Sequence, residues 1–218
     1  MKGRGLIFDV DGVLTDTVPL HFAAWHRMFT EFGYHFDERL YREKVDGKSR
    51  LDGVRGVMTT AAEETVQRAG EIKQAYYLEM LESAELDPFE DAVRLIDRAA
   101  QAGFRIAAAS GSRNAPRVLA KIGLAGRMDA VVTGAEVRRG KPAPDIFLAA
   151  AERLALPARA CVVIEDAETG VSAAKAGGFA CVGIERGASS SRLAGADLVV
   201  SSLDQVDLDG LRQLVAGD

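Results

Sequence analysis

Acidic side chains crowd one short stretch of this chain, Asp9-Val10-Asp11-Gly12-Val13-Leu14-Thr15-Asp16-Thr17. The stretch follows Leu6-Ile7-Phe8, an apolar run that reads as a buried strand, so Asp9 and Asp11 fall where that strand ends. Acids gathered at a strand end with no base among them are costly to keep ionised unless a cation answers them. A solvated turn uses Asp and Gly, but it has no use for a pair of acids flanking Val10. Their partners have to come from elsewhere in the chain.

Three further segments supply candidates, each beyond an apolar, strand-like run. Ser110 ends one run and leads into Gly111-Ser112-Arg113-Asn114; Lys141 lies in Gly140-Lys141-Pro142-Ala143-Pro144-Asp145; Glu165 and Asp166 follow a later run. Carboxylates, one hydroxyl and one lysine suit Mg²⁺-assisted phosphoryl transfer. Mg²⁺ takes hard oxygen ligands, which Asp9, Asp166 and the Asp11 carbonyl would supply, with Glu165 orienting a water on the metal. One aspartate would then attack phosphorus and become an aspartyl-phosphate, while the other moves a proton to or from the leaving oxygen. Lys141 and Ser110 would hold the transferring oxygens. Taken singly, Lys141 reads as a surface lysine, Ser110 as a turn residue and Glu165-Asp166 as a helix cap; their recurrence at successive strand ends carries the reading.

The elements that must position these residues follow from periodicity. Val18 to Gly33 spaces its apolar residues as a helix does, Asp37 to Lys44 suggests a short helix, and Leu51 to Met58 and Ala61 to Ala84 suggest two more, with the loop Val45 to Arg50 between. Residues 18–87 contain no convincing strand and read as a helical insert ending at Asp87-Pro88. From Phe89 onward helices alternate with strands: helices at Phe89–Ala102, Ala115–Ile122, Pro144–Leu154, Glu168–Ala176 and Leu203–Val215, and strands at Arg105–Ala109, Ala130–Thr133, Ala160–Ile164, Ala180–Ile184 and Leu198–Ser201. The strands are continuously apolar, which predicts a parallel sheet covered on both faces. The expected fold is α/β, a doubly wound parallel sheet formed by residues 1–17 and 88–218, with an all-helical cap inserted after the first strand. In such a sheet ligands bind beyond the carboxyl ends of the strands, which is where the candidates lie.

Composition bounds the function from outside. With 218 residues, 48% hydrophobic and 27% charged, the chain suits a soluble globular protein, and its net charge of −5 argues against a nucleic-acid surface. Arg138-Arg139 reads as a solvated loop, and Ser189-Ser190-Ser191 as a loop signal. No apolar run approaches a membrane span and the N-terminus does not resemble a signal peptide, so a cytoplasmic protein acting as a monomer, with no nucleic-acid or membrane partner, is expected. Cys161 and Cys181 lie in apolar runs and are expected to be buried, reduced thiols.

Asp9-x-Asp11-Gly12-Val13-Leu14-Thr15-Asp16, the strand-ending Ser110, Lys141-Pro142-x-Pro144-Asp145 and Glu165-Asp166 resemble, in order and nearly along the whole chain, the four motifs of the haloacid dehalogenase-like superfamily. The resemblance implies that Asp9 is the nucleophile and Asp11 the acid/base, in the metal-dependent phosphotransferase form rather than the dehalogenase form. Two polar groups then become candidates for gripping a second phosphate. Ser112-Arg113-Asn114 opens a helix, where N–H groups and a cation make an anion site, or Asn114 is an ordinary cap; Arg50, on the insert, is the other.

Thr17, His21 and Trp25 recur one helical turn apart at the start of the insert. Together with Gly47-x-Ser49-Arg50, Lys73 and Ser112-Arg113-Asn114, they resemble the phosphomutases of the superfamily that interconvert β-glucose 1-phosphate and glucose 6-phosphate through a bisphosphate. That likeness implies that Arg50, Ser112, Arg113 and Asn114 hold the non-reacting phosphate of a phosphorylated sugar. It implies too that His21 and Lys73 couple sugar binding to cap closure and that Thr17 lies at the hinge. Asp46 and Arg113 stand where lysines are usual, which keeps a Mg²⁺-dependent sugar-phosphate phosphatase as the alternative. His26 and His35 match nothing in either pattern and read as packing or surface residues.

Overall fold

The computed structural model describes residues 3–186 and 193–215. The Ser189-Ser190-Ser191 loop lies outside them. Among the described residues six strands form one parallel sheet in the order β3-β2-β1-β4-β5-β6, with β1 at Arg4–Phe8, β2 at Phe104–Ser110, β3 at Ala130–Thr133, β4 at Cys161–Glu165, β5 at Ala180–Ile184 and β6 at Leu198–Val200. The chain runs outward from β1 to β2 and β3, then returns to β4 on the other side of β1. This reversal opens a crevice at the carboxyl end of β1. Phe8 pairs with Ala108 on one side and Ile164 on the other, so three strands end level around Asp9.

Both faces of the sheet are covered, as continuous apolar strands require. Leu6, Phe8 and Ile106 face α5 (Glu90–Gln101), α6 (Ala115–Lys121) and α9 (Leu208–Leu214). Ile7, Ala107, Val163 and Cys181 face α7 (Asp145–Arg153) and α8 (Glu168–Ala176). Cys161 and Cys181 are free and buried, and burial pushes both thiols up to about 12.

Between β1 and α5 the chain forms helices only: α1 (Val18–Glu31), α2 (Glu38–Leu40), α3 (Arg50–Val57) and α4 (Glu63–Ser83). They enclose an apolar cluster of their own around Trp25, Met28, Phe29, Val54 and Val66. The two chain crossings between this lid and the sheet lie side by side, where Phe89 N–H donates to Leu14 O at 2.8 Å and Thr15 Oγ1 to Asp87 O at 2.7 Å.

Two expected helices differ in detail. The helix expected over Asp37 to Lys44 is capped by the Asp37 side chain on Leu40 N–H, but after Leu40 it widens into a π-helical turn, Tyr41–Val45. The helix expected over Leu203 to Val215 is two pieces, a 3₁₀ turn at Leu203–Gln205 and α9, because the Asp207 side chain accepts from Gly210 N–H and starts the second helix afresh.

Candidate active site

Asp9 and Asp11 leave β1 with different partners. Asp9 is buried, its N–H bonded to Ile164 O at 3.0 Å, and its Oδ1 accepts from Lys141 Nζ at 2.5 Å. Burial pushes Asp9 up to about 8 against the pull of Lys141, with Glu165 and Asp11 adding to the rise. Asp11 is surrounded by donors: Thr17 Oγ1 at 2.5 Å and His21 Nε2 at 3.2 Å on Oδ1, and Ser110 Oγ at 2.9 Å on Oδ2. Burial alone would raise it, but His21 and these hydrogen bonds together hold it below the usual carboxylate range. The two acids that look alike in sequence are thus set apart, one raised by its burial beside Lys141 and Glu165 and the other held low by the donors around it.

Lys141 also bonds Glu165 Oε1, while Glu165 Oε2 accepts the N–H groups of Asp166 at 2.8 Å and Ala167 at 2.9 Å. Both Glu165 oxygens are therefore engaged within the protein, and its part is to hold Lys141 and the turn that carries Asp166. Glu165 does not act as a side-chain cap of α8, whose N-cap is Ala167. Asp166 packs against Gly12, whose positive φ of 82° and missing side chain let the loop close; a Cβ there would lie 2.0 Å from Asp166 Oδ2.

This donor set fits Mg²⁺. The Asp166 carboxylate accepts no hydrogen bond among the described residues, and burial with Glu165, Asp9 and Asp46 nearby pushes it well above its ordinary value. Lys141 is one cation against Asp9, Glu165 and Asp166, so negative charge is in excess. Among the described residues no three His, Cys, Asp or Glu side chains are arranged to hold a metal by themselves. Mg²⁺ asks for fewer, since it is commonly held by one or two carboxylates together with water and substrate phosphate.

The lid supplies the rest of the cavity. Thr17 ends the crossing into the lid, one turn before His21, and His21 Nδ1 takes a hydrogen bond from Lys73 Nζ at 2.9 Å, giving a chain Lys73–His21–Asp11. Burial, with Lys73 next to it, lowers His21, and with Nδ1 engaged by Lys73 the ring nitrogen that faces Asp11 is Nε2. Trp25 lines the cavity with one edge but stacks on Phe29 in the lid core, and Lys73 Nζ lies 4.9 Å from its ring. Ser49 caps α3 through Asp52 N–H, so Arg50 starts that helix at the cavity wall. Gly47 reaches the core beside Thr169, and Ser112, Arg113 and Arg50 face the cavity together. Asn114 does not cap α6 with its side chain; its amide turns to the lid instead. All the residues expected at the site except Thr17, Ser110 and Asn114 border this one cavity directly, and those three are buried behind it.

Three residues were not foreseen. Tyr77, stacked on His21 with ring centroids 4.1 Å apart, follows Lys73 by four positions and is legible as a helical neighbour. Gln74 bonds Asn114 and Arg50. Arg186 donates to Gly12 O and Val13 O, each at 3.2 Å, behind the loop that carries Asp9 and Asp11. It stands just beyond β5, so the rule that singled out the other strand ends would have found it.

A family model for haloacid dehalogenase-like hydrolases matches residues 4–178. Beta-phosphoglucomutase of Bacillus subtilis (strain 168) is 34% identical over 219 residues, covering 96% of this chain and 94% of that protein. Hexitol phosphatase A of Escherichia coli (strain K12) is 32% identical over 207 residues, covering 94% of each. The crystal structure of beta-phosphoglucomutase from Clostridium difficile superposes with a TM-score of 0.89 at 26% identity, covering 98% of this chain and 97% of that one.

Proposed function

The chain belongs to the haloacid dehalogenase-like hydrolases, and from that premise we propose that it is a phosphomutase interconverting β-D-glucose 1-phosphate and glucose 6-phosphate. The observation that carries the reading is a second cationic place in the same cavity as Asp9: Arg50 of the lid, its buried Nε without a hydrogen-bond partner, facing Ser112 and Arg113 of the core. A mutase working through a bisphosphate has to grip one phosphate while the other reacts. A phosphatase has no such need.

From phosphorylated Asp9, the 6-hydroxyl of glucose 1-phosphate attacks phosphorus, Asp11 takes its proton, and the bond from phosphorus to Asp9 breaks. The bisphosphate turns round, Asp9 attacks its other phosphoryl group, and the departing 1-oxygen takes the proton back from Asp11. Asp11, held ionised by Thr17, His21 and Ser110, is ready to be the base of the first step. Lys141 holds Asp9 for in-line attack and balances charge on the transferring group. Asp9 and Asp166 would hold Mg²⁺, which when bound would supply positive charge against the transferring phosphoryl group. The lid, by covering the cavity, favours the sugar hydroxyl over water as acceptor.

A Mg²⁺-dependent sugar-phosphate phosphatase is the second reading, favoured by the Asp46 carboxylate on the lid loop, whose charge reaches Asp166 where a lysine would instead attract a phosphate. The likeness to hexitol phosphatase A supports it too. An assay with β-glucose 1-phosphate, Mg²⁺ and catalytic glucose 1,6-bisphosphate, coupled to glucose 6-phosphate dehydrogenase, separates the two. Glucose 6-phosphate forming as substrate disappears is the expected result; inorganic phosphate released in its place would make the protein a phosphatase.

A further inference from the structure

Gln74 lies on α4 beside Lys73, on the side of the lid that looks across the cavity at Ser112 and Arg113. Its carboxamide makes a two-way pair with Asn114 of the core: Nε2 donates to Asn114 Oδ1 at 2.7 Å, and Oε1 accepts from Asn114 Nδ2 at 3.3 Å. The same Oε1 accepts from Arg50 at 3.3 Å. Among the described residues this is the sole hydrogen bond made by the Arg50 guanidinium, whose buried Nε has no partner. Arg50 is moreover pressed by its own burial and by the like charge of Arg113, both of which lower it.

These contacts determine which atoms of the distal site are donors. An asparagine amide can present either its oxygen or its NH₂ to a ligand. Gln74 Nε2–H claims Asn114 Oδ1, which leaves the NH₂ group facing Gln74 Oε1 and Ser112 Oγ, the latter at 3.3 Å. An anionic oxygen arriving there meets Arg50 and Ser112 at the cavity wall, with the Asn114 NH₂ group buried behind Ser112, and Arg50 is held only by the neutral Gln74 oxygen, which the anion can displace. A carboxylate in place of the amide would hold the same two donors far more tightly and cancel the charge of Arg50. A side chain with no polar end would leave Asn114 free to turn its oxygen inward.

We infer that Gln74 is a specificity-determining residue of the distal phosphate site: it keeps Arg50 at the cavity wall as a donor to the second phosphate, fixes the facing of the Asn114 amide behind Ser112, and adds no charge of its own. The inference rests on the mutase reading and names a lid residue through which that reading selects doubly anionic or sugar-phosphate substrates over small phosphate esters.

The test compares kcat/KM for β-glucose 1-phosphate, measured with saturating bisphosphate, with kcat/KM for p-nitrophenyl phosphate, which has no second anchor. Gln74→Glu has the shape of the native side chain and is expected to lower the ratio of the two at least about tenfold, almost wholly through KM for the sugar phosphate, as the loss of one hydrogen bond to a charged group would. Gln74→Ala is expected to lower it by a smaller factor, about threefold, because no charge is added. Arg113→Ala, run beside them, reports on the distal site itself. If Arg113→Ala lowers the ratio and Gln74→Glu leaves it within twofold, the role of Gln74 is overturned while the distal site stands. If neither variant moves it, both fall. A Gln74→Glu loss that is equal on the two esters also overturns the inference, since the damage would then lie at Asp9.

Discussion

A buried lysine is costly, and Lys73 is only 3% exposed. Its ammonium lies 4.7 Å from the Tyr77 ring and 4.9 Å from the Trp25 ring and donates to His21, so two π faces and one imidazole replace its water. Burial wins over this help and over the attraction of Asp11, lowering Lys73 from 10.5 to about 7. Between those two values the unfolded chain holds a proton that the folded chain has released, so stability rises with pH across that window and the penalty is complete below it. Urea denaturation at pH 7, 8 and 9 should show this rise in the native protein and a flatter profile in Lys73→Met. Identical slopes in the two proteins would mean that Lys73 does not titrate there.

At the scale of elements, the turn after β1 is gripped from two sides. Asp166 closes on Gly12 from the cavity, and Arg186, from the end of β5, holds the Gly12 and Val13 carbonyls from behind. Arg186 is itself oriented by a two-pronged pair with Asp91 at 2.9 and 3.1 Å and by the Phe89 ring 3.6 Å beneath its guanidinium. Asp91 in turn accepts from Leu203 N–H and Ser202 Oγ, which ties the loop to the start of the C-terminal segment. Removing Arg186 strands a largely buried carboxylate and frees the loop that carries Asp11. Arg186→Ala should cost about 2 kcal/mol of stability and lower kcat on every phosphate ester by about tenfold or more, with Arg186→Lys restoring the charge but little of the rate because the fork is lost. Thermal melts and steady-state kinetics on a sugar phosphate and an aryl phosphate check this, and a variant that melts early yet turns over normally would reduce Arg186 to a structural brace.

Elements also mark how far local pattern reaches. Every strand and all the longer helices were legible, since apolar periodicity, glycine stops and Pro88 are properties of a few neighbouring residues. The break at Asp207 and the π turn after Leu40 were not, because a helical run of apolar residues looks the same whether or not one side chain in it chooses to cap.

On the scale of the whole molecule, the lid stands over the sheet with its Asp46–Arg50 loop seated on the core. Gly47 has a positive φ of 69°, and a Cβ added to it would lie 2.1 Å from Thr169 Oγ1, whose hydroxyl donates to Asp46 O at 3.3 Å. Gly47→Ala should therefore hold the loop off the core and raise KM for the sugar phosphate about tenfold, while Thr169→Ala in the same chain recovers part of the loss. Full recovery is not expected, because the backbone strain of about 1 kcal/mol for alanine at that φ stays. A Gly47→Ala protein with native KM would show that the loop need not seat there for substrate to bind.

Residue order alone is enough to read the chemistry on offer and the framework that carries it: carboxylates, a lysine and a serine at successive strand ends, on a doubly wound sheet with a helical lid. Residue type and short-range period are local, and a strand end is located by its own residues. Which of these groups meet is settled by folding. Asp9 and Asp11 have the same side chain, yet one is paired with Lys141 from 132 positions away and the other is encircled by Thr17, His21 and Ser110. Gln74 and Asn114, 40 positions apart, become partners only when lid and core pack against each other. The environments of the acids, the facing of the amides and the grip on the loop after β1 all depend on burial and on contacts between distant segments, and no local pattern of residues carries that information.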